Sequence, residues 1–122
     1  MDRRKGRNHL TGGLGFAEPC FPRDNIALKL LGKKLAVDIR LLKTNHDYNQ
    51  ALSKRHRDTL GEHIPAGSKV TVLGLAYKPL SYIIEESPGI RICQILGECG
   101  HRVVEHDPLA VPEAKAVLNQ KV

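Results

Sequence analysis

The sequence predicts an α/β fold in which a long helix precedes a partial parallel sheet, a single βαβ unit that is cut short. Three observations carry this. Residues 33–63 place apolar side chains at helical spacing, and SKVTVLGLA is a short, β-branched, apolar run. A second such run, HRVVEHDP, follows after an intervening helical pattern.

The 122 residues suffice for one domain with a modest core. Apolar residues make up 41% and charged residues 26%, without low-complexity tracts, so the chain is expected to fold. Aromatic residues are only 4%, with no tryptophan, so the core must rest on Leu, Ile, Val and Ala.

In chain order, residues 1–11 are basic, polar and without period. Residues 12–23 contain three glycines and two prolines and read as a shaped loop. Asp24 or Asn25 is the expected N-cap of the helical stretch that follows, and Gly32 is expected to split that stretch. The long part, Lys33 to His63, carries Leu35, Leu42, Leu52 and Leu60 in a narrow stripe, with Ile39 and Tyr48 beside it. Asn45 lies in the stripe and reads as a polar residue at a helix–helix contact. So long a one-faced helix in so small a chain wants a partner, and a homodimer is expected.

Pro65-Ala66-Gly67 ends the helix, and Lys69 to Leu73 reads as a buried parallel strand. Ser87-Pro88 is an N-cap followed by proline at the first helical position. The helix it opens is expected to bury Ile90, Cys93, Ile95, Leu96 and Cys99 and to stop at Gly100. HRVVEHDP is the second strand and VPEAKAVLNQ a further helix. Two parallel strands are too few for an open sheet, so this half reads as the start of a Rossmann-like domain.

Several function classes are excluded at this level. The net charge of +6 is scattered over DRRKGR, LGKK and SKRHR without interleaved aromatics, which argues against nucleic acid. No apolar run approaches a membrane span and no apolar h-region follows the basic start, so a cytoplasmic protein is expected. Cys20, Cys93 and Cys99 form no CxxC pair and the six histidines do not cluster with them, so no metal is expected.

Two stretches carry chemistry. In GGLGFAEPCFPRD a cysteine sits in a glycine-rich loop with Arg23 three residues on and a helix start beyond, a setting that favours a thiolate nucleophile. Asp24 is placed to handle protons or water, while the glycines offer unhindered N–H groups. The same features also fit an ordinary turn. In GLAYKP, Gly74 ends a buried strand where ligands approach an open sheet, and Lys78 adds a point charge suited to phosphate; a tight strand exit with a solvated lysine reads equally well. Asp107 is either an acid for ribose hydroxyls or a turn starter.

GLGFAEPCFPRD resembles the GFGGSCFPKD signature of the nucleotide-sugar 6-dehydrogenases, the UDP-glucose/GDP-mannose dehydrogenase family. VTVLGLAYKPLSYIIEESPGIRICQILGECGHRVVEHDP is similar to that family's LGLAFKP…TDDxRxSP…YDP stretch. Order and spacing agree from Gly12 to Asp107. The resemblance implies oxidation of the C6 alcohol of a UDP-sugar to a carboxylate in two NAD-dependent steps, through a cysteine-bound thiohemiacetal and thioester. It implies Cys20 as nucleophile and Asp24 as the aspartate that assists thioester hydrolysis. Thr11, Gly12, Gly13, Leu14, Gly15, Phe16 and Ala17 would form the loop around the sugar nucleotide. Cys20 and Arg23 would face the cofactor, and Tyr77 and Lys78 the substrate, Lys78 near its diphosphate. The long helix would be the dimerisation helix.

The resemblance also divides the chain into a catalytic-cysteine loop (1–24), a helical dimerisation region (25–64) and a partial UDP-binding domain (65–122). Two departures stand out. The family's Gly-Gly-Ser before the cysteine is Ala17-Glu18-Pro19, which sets a negative charge beside the thiol. The family's cofactor-contacting arginine is Glu85. No GxGxxG is present, so the family's NAD-binding domain is not represented and the chain alone is expected to be inactive. The alternative expectation is a non-enzymatic remnant that dimerises and at most binds a nucleotide weakly.

Overall fold

Helix α3, Pro88–Glu98, is the piece on which the elements after residue 39 assemble. Ser87 Oγ accepts the Gly89 N–H at 3.2 Å, and Pro88 fills a position that needs no N–H donor. The computed structural model describes residues 13–118. Along the chain, α1 (Cys20–Lys34) and α2 (Arg40–His63) precede β1 (Lys69–Leu73), and α3 leads into β2 (Arg102–His106) and α4 (Val111–Leu118).

Strands β1 and β2 pair in parallel, with Val70 opposite Val103 and Leu73 opposite His106. This is the α/β architecture with a partial parallel sheet that the sequence predicts. Along β1, Val70 and Val72 are half-buried while Lys69, Thr71 and Leu73 face solvent. The core gathers Leu75, Ile90, Cys93, Ala110 and Ala114, with Val72, Val103, Ile84 and Leu118 packed around them. Helix α2 reaches α3 through surface contacts, Arg57 to Glu98 at 3.0 Å and Arg91 Nε to Ser53 Oγ at 3.0 Å.

The structure departs from expectation in four respects, three of them in the helical half. First, α1 begins at Cys20, so neither Asp24 nor Asn25 caps it. Pro19 is its N-cap and Pro22 lies in its first turn. Proline is tolerated there because first-turn N–H groups have no intrahelical partner, so these two prolines start the helix instead of barring it. Asn25 is buried and donates its Nδ2 to the Phe21 carbonyl at 2.9 Å.

Second, Gly32 lies inside α1, and a Cβ there would stand 2.3 Å from Ile39 Cδ1. Glycine at this point lets Ile39 pack onto α1. The break falls at residues 35–39, where Ala36 has φ 54° and Asp38 Oδ1 accepts the Arg40 N–H. The long helix therefore starts at Arg40, not Lys33.

Third, Leu42, Leu52 and Leu60 are half-buried, but Leu35, Tyr48 and Asn45 are exposed. The inward face of α2 runs through Leu42, His46, Asn49, Leu52, His56 and Leu60. Fourth, Cys93 is in the core but Cys99 is exposed, because α3 ends at Glu98 and Cys99 falls in the turn to β2.

Candidate functional site

Residues 13–19 have no regular structure, and among the described residues Asn49 is the side chain that hydrogen-bonds to them. Asn49 on α2 accepts the Phe16 N–H at 2.9 Å and donates to the Phe16 carbonyl at 3.0 Å. Gly15 has φ 134°, and a Cβ there would lie 2.8 Å from Asn49 Oδ1, so a larger residue would push the clamp apart. The Phe16 ring packs against Phe21 of α1 with centroids 6.0 Å apart. Asn49 was missed in the sequence, although it lies seven residues after Leu42 and three before Leu52, on their face.

Cys20 is the first residue of α1 and is exposed as a free thiol, not in a loop as its glycine-rich surroundings suggest. Asp24 lies one helical turn on, on the same face. Arg23 Nε contacts Asp24 Oδ1 at 3.1 Å, with both side chains in solvent. The Arg23 guanidinium is held above its ordinary range mainly by Asp24, with a smaller part from Cys20. Cys20, Arg23 and Asp24 thus form one exposed cluster at the N-terminus of a helix, where backbone N–H groups favour negative charge.

Tyr77 and Lys78 follow β1 in a loop closed by the Tyr77 N–H to Ile83 carbonyl bond at 3.0 Å. The Lys78 ammonium lies 5.0 Å from the Tyr77 ring centroid. Tyr77 is the main cause of its raised pKa, and the Glu18 carboxylate adds a weaker attraction. The cysteine loop and the GLAYKP loop thus lie within electrostatic reach of one another.

A groove of about 650 Å³ opens beside these loops. Leu14, Gly15 and Phe16 line it together with Asn49, Ser53 and Glu85, whereas Cys20, Asp24, Tyr77 and Lys78 do not. Gly13 is exposed and Ala17 half-buried in the same loop. Thr11 and Gly12 lie outside the described residues. Among the described residues no group of three or more His, Cys, Asp or Glu side chains is arranged to hold a metal, and no helix is long and apolar enough to cross a membrane.

Asp107 starts the turn after β2 and accepts four backbone N–H groups. Leu75 and Ala76 donate to Oδ2 at 2.8 and 3.1 Å, and Leu109 and Ala110 donate to Oδ1, each at 2.9 Å. Partial burial pushes its pKa up, but the four N–H groups outweigh that and hold it well below the usual carboxylate range.

No protein-family model matches the chain. The whole chain is 33% identical over 124 residues to the UDP-glucose 6-dehydrogenase TuaD of Bacillus subtilis. Over 90% of its length it is 37% identical to the UDP-glucose 6-dehydrogenase AglM of Haloferax volcanii. All of it superposes on a UDP-glucose dehydrogenase from Pyrobaculum islandicum with a TM-score of 0.85 and 34% identity, covering 29% of that chain.

This chain belongs to the UDP-glucose/GDP-mannose dehydrogenase family. A GDP-mannose dehydrogenase from Pseudomonas aeruginosa, at 24% identity and TM-score 0.76, shares the fold over 89% of the chain. The chain spans 27% of the length of the Bacillus subtilis relative and 26% of the Haloferax volcanii one.

The family signature explains one backbone feature. Glu18 has φ 82°, a conformation that favours glycine, and it stands where the nucleotide-sugar 6-dehydrogenase signature has glycine. The loop keeps a glycine's shape without the glycine.

NAD, the cofactor the family implies, finds no cradle for its diphosphate at the β1 exit. The Leu75 and Ala76 N–H groups are bound to Asp107, and the N-terminus of α3 is pressed against the Gly74 carbonyl.

Proposed function

We propose that this chain carries the nucleophile and part of the sugar-nucleotide wall of an NAD-dependent UDP-sugar 6-dehydrogenase. The observation that carries the reading is similarity along essentially the whole chain to proteins named UDP-glucose 6-dehydrogenase. In this reading residues 1–24 hold the nucleophile loop, 25–64 the helical dimerisation region and 65–122 part of the UDP-binding domain.

The Cys20 thiolate adds to the C6 aldehyde carbon, and after oxidation the acyl group rests on Cys20 as a thioester. Water then attacks that carbon, with Asp24 one turn away to take its proton, and the thiolate leaves. Residues Thr11 to Ala17, of which Phe16 is held by Asn49, wrap the sugar nucleotide, and Tyr77 and Lys78 meet the substrate, Lys78 near its diphosphate. NAD supplies the hydride acceptor. Its diphosphate does not fit at the β1 exit, so 122 residues tested alone are expected to form no NADH from UDP-glucose. A cytoplasmic setting fits the three cysteines, none of them in a disulfide.

Alkylation of Cys20 with and without UDP-glucose tests the reading. The sugar nucleotide is expected to slow Cys20 but not the exposed Cys99. Equal rates at both cysteines, with no protection, would overturn it.

A second reading is a non-enzymatic remnant that dimerises and at most binds a nucleotide weakly; Glu18 and Glu85 favour it by placing carboxylates where the family signature has glycine and arginine. Both readings include a homodimer through the helical region. Leu42, Leu52 and Leu60 of the expected seam turn inward, so its contact is assigned instead to the exposed Leu28, Leu31, Leu35 and Leu41, the last 81% exposed. Leu41→Glu is expected to shift sedimentation from dimer to monomer.

A further inference from the structure

Open α/β sheets hold ligand phosphates in the crevice beyond the carboxyl ends of their strands, where backbone N–H groups converge. In this chain the crevice lies where Gly74 to Ala76 leave β1 beside Asp107 to Ala110 leaving β2. Four N–H groups converge there, from Leu75, Ala76, Leu109 and Ala110, and all four end on the Asp107 carboxylate. A carboxylate has about four acceptor positions, so Asp107 has none left for a ribose hydroxyl. The second wall is closed too. Gly89 lies so near the Gly74 carbonyl that a Cβ would stand 2.2 Å from its oxygen, and the Gly89 N–H is already given to Ser87 Oγ.

We propose that Asp107 is a built-in anion, which fills the amide cradle that other open α/β sheets offer to a nucleotide phosphate. It is a positioning residue, because it fixes Leu75 and Ala76 and so the start of the loop that carries Tyr77 and Lys78. It is also a specificity determinant, because an occupied cradle turns a ligand diphosphate away from the strand ends towards Lys78. This last clause rests on the proposed role of Lys78; the occupied cradle does not.

Chemical rescue tests it. Asp107→Ala removes the anion and leaves a hole the size of a small carboxylate. The variant is expected to melt roughly 10 °C lower, through loss of charge-assisted hydrogen bonds. Formate should restore part of that loss and return the Leu75, Ala76, Leu109 and Ala110 amide signals towards their wild-type positions. Formate should do nothing comparable for Asp47→Ala, a surface control. Asp107→Asn should not respond to formate, since its amide fills the hole while its NH₂ faces one pair of N–H donors. An equal formate effect on Asp47→Ala, or no effect on Asp107→Ala, overturns the proposal.

Wild-type protein gives a second measurement that needs no variant. Titration with inorganic pyrophosphate should leave the Leu75 and Ala76 amides unmoved; a saturable shift there would show that the cradle takes ligand phosphate and would overturn the proposal. UDP that perturbs none of the chain's signals would remove the role of Lys78 while leaving the formate result to decide the cradle.

Discussion

The side-chain amide of Asn49 makes two hydrogen bonds with the backbone of Phe16, one accepted at 2.9 Å and one donated at 3.0 Å, across 33 residues of sequence. Among the described residues the loop before Cys20 makes no backbone–backbone hydrogen bond, and this side chain supplies what a ladder would. Asn49→Ala leaves both Phe16 groups half-buried and unpartnered, which is expected to cost about 1–3 kcal/mol. Amide exchange at Phe16 should accelerate with it. Asn49→Asp keeps the acceptor and loses only the donor, so its loss should be smaller. Unchanged Phe16 exchange in Asn49→Ala would show that something else holds the loop.

The three cysteines should separate by reagent access and by pH. Cys93 is 3% exposed, and burial pushes its thiol up to about 11 from 9.0. At pH 8 only about one Cys93 in a thousand is a thiolate, so alkylation should mark Cys20 and Cys99 and reach Cys93 only on unfolding. Since the folded value is raised, the stabilisation is complete below the unfolded thiol's range and fades as pH climbs from about 9 to about 11. The loss should amount to about 2–3 kcal/mol, and Cys93→Ala should flatten that limb in a pH series of denaturant melts.

What the sequence shows well is the half of the chain whose signals are local. Ser87-Pro88 fixes the start of α3 because cap and N1 proline act within one turn. The run Lys69 to Leu73 reads correctly as a strand because β-branched residues bounded by Gly67 and Gly74 leave few alternatives. It is not the buried strand expected, since Val70 and Val72 are only half-buried and Lys69, Thr71 and Leu73 are exposed. The helical half is less legible because its punctuation depends on tertiary contacts. Pro19 and Pro22 read as breakers until they are seen to occupy a helix start, and Gly32 reads as a break until Ile39 is seen packed on it. The site follows the same division. Cys20, Asp24 and Lys78 can be picked out from residue type, whereas the Asn49 clamp and the Asp107 cradle join positions 33 and more than thirty apart.

Two glycines of α3 should respond in opposite directions to the same substitution. A Cβ at Gly89 would meet the Gly74 carbonyl oxygen at 2.2 Å, and backbone on both sides leaves nowhere to move. Gly89→Ala should therefore separate α3 from the β1 exit and cost several kcal/mol, about 3 or more. Gly97 has nothing within 4 Å of that position and sits in the last turn of the helix. Gly97→Ala should stabilise by about 0.5–1 kcal/mol through helix propensity and a less flexible unfolded chain. Denaturant midpoints of the two variants are the check, and a stable Gly89→Ala would contradict the close approach.

Glu18 allows strain and charge to be separated at the cysteine loop. Its φ of 82° is unfavourable for a residue with a side chain, and its carboxylate lies two residues before Cys20. Glu18→Gly should relieve about 1–3 kcal/mol of backbone strain, less about 0.5–1 kcal/mol for the freer unfolded glycine, a net gain near 1 kcal/mol. Glu18→Gln keeps the strain and removes only the charge, so its stability should stay close to wild type. Both variants remove a negative charge from the approach to Cys20, so both should speed alkylation by the anionic reagent iodoacetate relative to neutral iodoacetamide. Equal stabilisation in Gln and Gly variants would assign the effect to charge, and an unchanged iodoacetate ratio in both would show that Glu18 does not face the thiol.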